Sequence, residues 1–503
     1  MVSFRTLMSS IFLSLLAITK RIVTFIYDRL CVKPGLENLW NRWDKQILSR
    51  HTRLTRTDIS LCLVFGVIGL MVALWGMSAA SHAPGLYTYM SVYLEADVAR
   101  VADNLVTTGG NHQRTAVHPI ASLLLTPIGL TLKSLGLSPV DAARTMVLAC
   151  AAINAALLCA ILRLLGLPQI AVSVFSMLFI VSASFMFWNA VVEIYPFASL
   201  SLLLALLLMV HARPVKAAWW SIVSALTLGF TITNWATGLI TSAVRLDLKR
   251  FLTVTSAALG IVVVLSIIQH MLFAQAAYFF NPIPLLRESA FVQPVMEQKG
   301  VYKEGWRPLS NLRSIFVTTV VAMPADVEMH GAMKPQVVTT NQDTGFPKGE
   351  ISPVFAVMAW LILLGGGIWG AVIRRELRPV SIGLGGILLF NSLLHLVYGE
   401  VTFLYSAHFL PPLIMIAAFS WFTPARWLAL GLAIVVIVCG GINNSHRLED
   451  TIRSVNCIND LSSVRAFQSW AAVNQVHGEE LTQAYAKVTQ SDMFRCQADH
   501  PVR

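Results

Sequence analysis

The chain has 503 residues, 56% of them hydrophobic and 13% charged, with a net charge of +11 and a mean hydropathy of +0.66. Soluble domains carry about 25% charged residues, so this composition excludes one, and with it disorder and a disulfide-built secreted scaffold. It fits an all-α polytopic membrane protein, and at about 20 apolar residues per span the length holds roughly ten or more spans.

Residues 1–57 form a basic N-terminal arm, in which ten Lys and Arg residues face three acids. Such an arm can bind nucleic acid, but beside a first span it reads as a cytoplasmic flank set by the positive-inside rule. Within it, residues 8–27 are apolar but for Lys20 and Arg21, which fits an amphipathic helix on the inner leaflet better than a span. No small-residue cleavage site follows, so a removable signal peptide is not expected.

The first span is expected at 59–80. Further spans are expected near 143–162, 168–187, 195–211, 217–234, 235–245, 251–273, 354–373, 380–398, 401–420 and 427–443. The stretch 119–136, with two prolines and Lys133, reads as a short or partly immersed helix. With about eleven spans, the basic connectors at Arg163, 211–216, 245–250, 374–378 and Arg426 all fall inside. The polar stretches 81–141, 188–194, 274–352 and 444–503 then fall outside. The expected organisation is therefore the arm 1–57, a membrane domain 58–443 that includes the outer loops 81–141 and 274–352, and an outer tail 444–503. The tail holds Cys457 and Cys496, which an oxidising compartment would allow to bridge or which stand as two free thiols.

Acids are scarce in the spans and gather beside them: Glu95, Asp97, Glu193 and Glu400. Two carboxylates spaced as Glu95 and Asp97 can share a proton, hold a cation or divide the roles of base and orienter. Asp97 and Arg100 are three apart, which on a helix also permits a simple ion pair. Other polar features have plainer readings. Trp219 and Trp220 read as interfacial anchors. Asn234–Trp235 reads as a helix break, His270 as a packed or interfacial histidine, and Asp326, Glu328 and His330 as a loop coincidence rather than a metal site.

The first loop reads Tyr93-Leu-Glu95-Ala-Asp97-Val-Ala-Arg100, and Val-His118-Pro119 follows. It resembles the first outer loop of the GT-C glycosyltransferases, multi-span enzymes that include protein O-mannosyltransferases and lipid A aminoarabinose transferases. Many members carry adjacent acids; here Val98 follows Asp97, giving a Glu-x-Asp variant. Weaker likenesses lie at Glu193-Ile-Tyr195-Pro196 and at Tyr405-Ser-Ala-His408, which precedes Leu-Pro.

The resemblance implies a GT-C-like bundle with juxtamembrane helices on its outer side. It implies transfer of a sugar from a polyprenyl-phosphate donor to an envelope glycan, lipid or protein acceptor at the outer face of the inner membrane, by inverting single displacement. Asp97 would be the general base and Glu95 its orienter or alternate. Arg100, His118, Glu193, Tyr195, Arg307 and His408 would bind substrate, with Arg287, Lys303 and Arg313 as further cationic candidates. No resident cofactor is expected, no ligand cluster supports a divalent metal, and no nucleic-acid partner is expected. A lipid or solute transporter and a non-catalytic envelope-assembly subunit are the alternatives. The first should place charges among broken helices at mid-membrane. The second should be indifferent to loss of Glu95 or Asp97.

Overall fold

The computed structural model describes residues 54–81, 83–87, 91–211, 215–292, 307–330, 337–342, 345, 349–399 and 401–460. Residues 1–53 of the basic arm, Lys303, Glu400 and Cys496 lie outside the described residues, and so do the side chains of Arg287, Arg307 and Cys457. The expectations placed on them lie there too.

The first helix, α1 (Arg56–Ala80), starts at a reciprocal cap. The Thr55 hydroxyl accepts the Asp58 N–H, and the Asp58 carboxylate accepts the Thr55 N–H. Two short helices follow, α2 (Val98–Val106) and α3 (Ala121–Ser134), before α4 (Pro139–Leu164) begins at a Ser138 cap with proline in its first turn. Then come α5 (Gln169–Val181), α6 (Ala183–Trp188), α7 (Tyr195–Val210), α8 (Ala217–Phe230), α9 (Trp235–Arg245) and α10 (Leu248–Leu272). The long loop after α10 holds α11 (Pro282–Arg287), α12 (Arg307–Arg313) and an antiparallel hairpin of β1 (Asp326–His330) and β2 (Val337–Asn341). The chain continues with α13 (Ile351–Ile373), α14 (Arg378–His395), α15 (Ser406–Ala418), α16 (Arg426–Val435) and α17 (Gly441–Asp460).

This is an α-helical multi-pass membrane protein. Among the described residues, seven helices are long and apolar enough to cross a bilayer: α1, α4, α10, α13, Arg375–His395, Thr402–Phe422 and Arg426–Asn456. Burial separates their roles. Only 22% of the apolar stretch of α10 is buried, so most of its surface needs lipid, whereas Thr402–Phe422 is 83% buried and forms the bundle's interior.

Eleven spans were expected. The other four, α5, α7, α8 and α9, are 13, 16, 14 and 11 residues long. At 1.5 Å per residue these fall short of the roughly 30 Å hydrocarbon core.

Two of them are short because the backbone breaks and finds other partners. Ser182 is extended and ends α5; the N–H groups of Ala183 and Ser184 then bond to the carbonyls of Val320 (3.1 Å) and Thr319 (3.0 Å). Thr231 is extended and ends α8, and there the first loop docks. Ile232 N–H bonds to Val117 O, and Ile120 N–H bonds to Gly229 O, both at 3.0 Å. Irregular backbone in a membrane protein is tolerated where protein groups replace the lost bonds.

Close packing fixes the first loop beside the bundle. A Cβ on Gly129 of α3 would sit 2.0 Å from Leu105 O of α2, so only glycine allows these helices to touch. At the far end of the chain α16 runs into α17 through a π turn at Val436–Gly440. Asn444 then ties three segments together: its amide N–H₂ donates to Val181 O and Val320 O at 2.8 Å, and its Oδ1 accepts Ala322 N–H at 2.7 Å. Leu448, Ile452 and Val455 bury one face of α17, so the helix is packed well beyond residue 444.

Trp219 and Trp220 separate: Trp219 is 58% exposed, but Trp220 is 3% exposed and packs inward, because adjacent helix positions face directions about 100° apart. Asn234 sits buried at the expected break, and His270 packs on Tyr278 with ring centroids 4.1 Å apart. Asp326, Glu328 and His330 stand in strand β1, not in a loop, because that stretch pairs in register with Val337–Asn341.

Candidate active site

The site is built on the turn between α1 and α2. Ala96 N–H bonds to Tyr93 O at 2.8 Å, closing a tight turn whose central residues, Leu94 and Glu95, have φ of 51° and 64°. Left-handed backbone is costly for residues with a Cβ, and such strain persists only where the surroundings over-determine it. Here they do. Leu94 is fully buried, and the Tyr93 hydroxyl donates to Phe187 O at 3.1 Å. The Tyr93 ring meets Trp188 edge-on at 6.1 Å. These rings, with Phe403, belong to the apolar core beneath the loop, so the acids stand on a rigid base.

Asp97 follows the turn. Its carboxylate is 28% exposed and pairs with Arg100, one turn along α2. Its backbone N–H donates to Glu193 Oε1 at 2.8 Å, and the other Glu193 oxygen accepts the N–H of Ile194. Glu193, 2% exposed, lies in the turn between α6 and α7. Burial, reinforced by the Asp97 charge, pushes its pKa up to about 7, against the pull of Arg100 and the two backbone N–H bonds. A carboxyl group that titrates near neutrality at a polar cluster is suited to proton transfer.

Arg114 supplies the second cation. It pairs with Glu288, and the Tyr398 hydroxyl donates to the other Glu288 oxygen at 2.7 Å. Its guanidinium lies over the Phe291 ring, 5.5 Å from the centroid. Burial alone would lower the Arg114 pKa, but the Glu288 carboxylate, with Asp97 and the tyrosines further off, more than offsets this and holds it raised.

His118 Nδ1–H donates to Phe230 O at 2.6 Å, across the docking contact between the first loop and α8. Burial and the nearby Arg114 charge lower its pKa to about 3, so the imidazole is neutral with Nε2 as its basic nitrogen. Arg100, Arg114 and His118 line one small cavity of about 40 Å³, together with Asn104, Thr115 and Ser122. Its polar lining is cationic or neutral, which suits an oxyanion.

An aromatic wall adjoins the acids. Tyr195 lies between Trp188 (5.5 Å) and His408 (5.8 Å), and it meets Tyr405 at 5.9 Å. Tyr405 stacks on His395 at 4.3 Å. His408 is buried on α15, and its Nε2 makes no hydrogen bond.

The structure thus brings Glu95, Asp97, Arg100, His118, Glu193, Tyr195 and His408 to one end of the bundle. Arg313 is described, on α12, and does not line the cavity. Sequence reading missed the functional grouping of Arg114, Glu288 and Tyr398. Arg114 and Glu288 are 174 positions apart, and Glu288 and Tyr398 are 110 apart, so no local spacing signals them. Among the described residues, no group of three or more His, Cys, Asp or Glu side chains is placed to hold a metal ion.

No protein-family model matches the chain, and no curated protein or solved structure matches it. The fold defines the class, an α-helical multi-pass membrane protein, and the chemistry rests on the residues themselves.

Proposed function

We propose that the protein is an integral membrane glycosyltransferase that moves a sugar from a polyprenyl-phosphate donor to an acceptor hydroxyl or amine. The observation that carries this reading is the meeting of Asp97 and Glu193 with Arg100 and Arg114 at one cavity-bearing end of the bundle. The resemblance of the first loop to GT-C enzymes points the same way.

In the proposed reaction the acceptor oxygen attacks the anomeric carbon. The bond from that carbon to the phosphate oxygen breaks, and the lipid phosphate leaves with the electron pair. The acceptor proton passes to the Asp97 carboxylate, which is 28% exposed and which Arg100 orients. Arg100 and Arg114 face the charge that grows on the phosphate. Arg114 reaches that charge by exchanging Glu288 for it. Glu193 holds the Asp97 backbone, and its titration sets the neutral-pH limb of the rate profile. Tyr195 and Tyr405 offer ring faces against which a sugar's C–H surface packs.

On this reading the acidic end faces outward. The basic residues Arg163, Arg245, Arg374, Arg375 and Arg426 sit at the other ends of their helices, as the positive-inside rule requires of a cytoplasmic side. The short helices α5, α7, α8 and α9 would complete eleven passes by pairing with their neighbours, and the host is the inner membrane of a cell with an envelope.

The test is transfer from radiolabelled polyprenyl-phosphate sugars by the purified full chain, comparing wild type with Asp97→Asn, Glu95→Gln and Glu193→Gln. Transfer lost in a folded Asp97→Asn supports the reading. Full transfer in that variant moves the base to Glu193. A wild type that transfers nothing, yet moves labelled lipid between leaflets, replaces the reading with a transporter.

A further inference from the structure

The left-handed turn at Leu94–Glu95 is gripped from the far side of the sequence. Thr340, on β2 of the hairpin in the long outer loop, is fully buried. Its hydroxyl oxygen accepts the Leu94 N–H at 3.1 Å and donates to Val92 O at 3.3 Å, while its own N–H donates to the same carbonyl at 3.2 Å. One residue therefore satisfies both a donor and an acceptor on the N-terminal side of the strained turn. Turns with two left-handed central residues ordinarily use Asn-Gly or Asp-Gly; Leu-Glu has no such freedom, so its geometry must be imposed from outside.

We infer that Thr340 is a positioning residue: the β1–β2 hairpin, through this side chain, holds the turn that aims Glu95 and Asp97. The inference rests on the proposed function for its catalytic meaning, and on the hydrogen bonds alone for its structural one. Three attachments among the described residues help to fix the turn. Tyr93 anchors it below through Phe187 O, Glu193 holds it downstream at the Asp97 N–H, and Thr340 holds its upstream arm. The first two come from the membrane bundle. The third comes from the hairpin, 246 residues on in sequence, which links the position of that hairpin to the geometry of the acids. The hairpin and the turn that carries the acids are then one mechanical unit.

The test uses the purified full chain in detergent, as wild type, Thr340→Val and Thr340→Ser. Valine keeps the shape and removes the hydroxyl, and serine keeps the hydroxyl. Amide hydrogen exchange is followed on the peptide covering 91–97, with α4 as the folding control. Thr340→Val should speed exchange at 91–97 by about tenfold or more while α4 is unchanged, since one net hydrogen bond is worth about that factor. It should lower kcat about tenfold with KM within about twofold, the pattern of a displaced catalytic group rather than lost binding. Thr340→Ser should restore both. Where Thr340→Val also loosens α4, Thr340→Ala takes its place in the same comparison.

Unchanged exchange at 91–97 in a folded variant overturns the inference. So does faster exchange with kcat intact, or serine behaving like valine. A wild type without transferase activity overturns the proposed function instead, and the exchange comparison then decides the latch by itself.

Discussion

Two ends of the same bundle carry buried ion pairs, and they are built differently. At the basic end, Arg163 Nε donates to Asp58 Oδ1 at 2.7 Å, its guanidinium also reaches Leu167 O, and Gln169 approaches the same carboxylate at 3.4 Å. Asp58 in addition closes the Thr55 cap. The side chains are 8% and 1% exposed, and the backbone around them is ordinary helix. At the acidic end the pairs of Asp97 with Arg100 and of Arg114 with Glu288 are only partly covered. They adjoin a cavity, a carboxyl group that titrates near 7 and a left-handed turn. The same residue types thus serve two ends. Where the charges are buried and bonded to each other and to neighbouring backbone, an ion pair staples helices. Where charge, space and strain are left together, it is available for chemistry.

The sharpest way to break this comparison is Asp97→Asn. General-base catalysis contributes about 10²–10⁴-fold, so labelled-sugar transfer should fall by that range in a protein that folds normally. The matching change at the other end is Arg163→Met, which leaves Asp58 buried without its partner. Removing one member of a buried pair costs about 3–5 kcal/mol, so the unfolding midpoint in detergent should drop steeply, while the folded fraction keeps its rate per molecule. If Arg163→Met instead lowered kcat at unchanged stability, the basic end would not be a staple.

Glu193→Gln tests the titrating group. With a folded pKa raised to about 7, Glu193 contributes stability that is fully present below its ordinary range near 4.5 and is lost as pH rises through about 7. The shift corresponds to on the order of 3 kcal/mol. The variant should therefore flatten the decline in stability between pH 5 and 8, measured by thermal unfolding, and should remove the neutral-pH limb from the rate profile. A smaller effect is expected of Glu288→Gln. Freed of its carboxylate, Arg114 should bind the donor phosphate more tightly, lowering the donor KM by about threefold to tenfold. The smallest is Trp219→Ala on the exposed face of α8, which should move stability by no more than about 0.5 kcal/mol.

Much of the architecture was legible in advance, since apolar runs of about 20 residues leave few options. The short helix at Ala121–Ser134 answers to the stretch 119–136, whose prolines and Lys133 argue against a full span. The lengths of α7 and α9 match their apolar runs, but the expected spans 168–187 and 217–234 overran α5 and α8, because apolarity does not report where a backbone breaks. Ser182 and Thr231 break it only because Thr319, Val320, Val117 and Ile120 are there to take the freed bonds.

The same division runs through the site. By itself the sequence determined a helical membrane protein, the position of its acids beside the spans and the one loop in which Glu95, Asp97 and Arg100 stand close together. Those are local properties of composition and spacing. Only the tertiary structure decided that Glu193 sits under Asp97, that Arg114 meets Glu288 and Tyr398, and that Thr340 grips the acidic turn. Each joins residues about 96 to 250 positions apart. Pairings of that kind, and the burial that shifts a carboxyl group toward neutrality, exist only once helices have packed and water has been excluded.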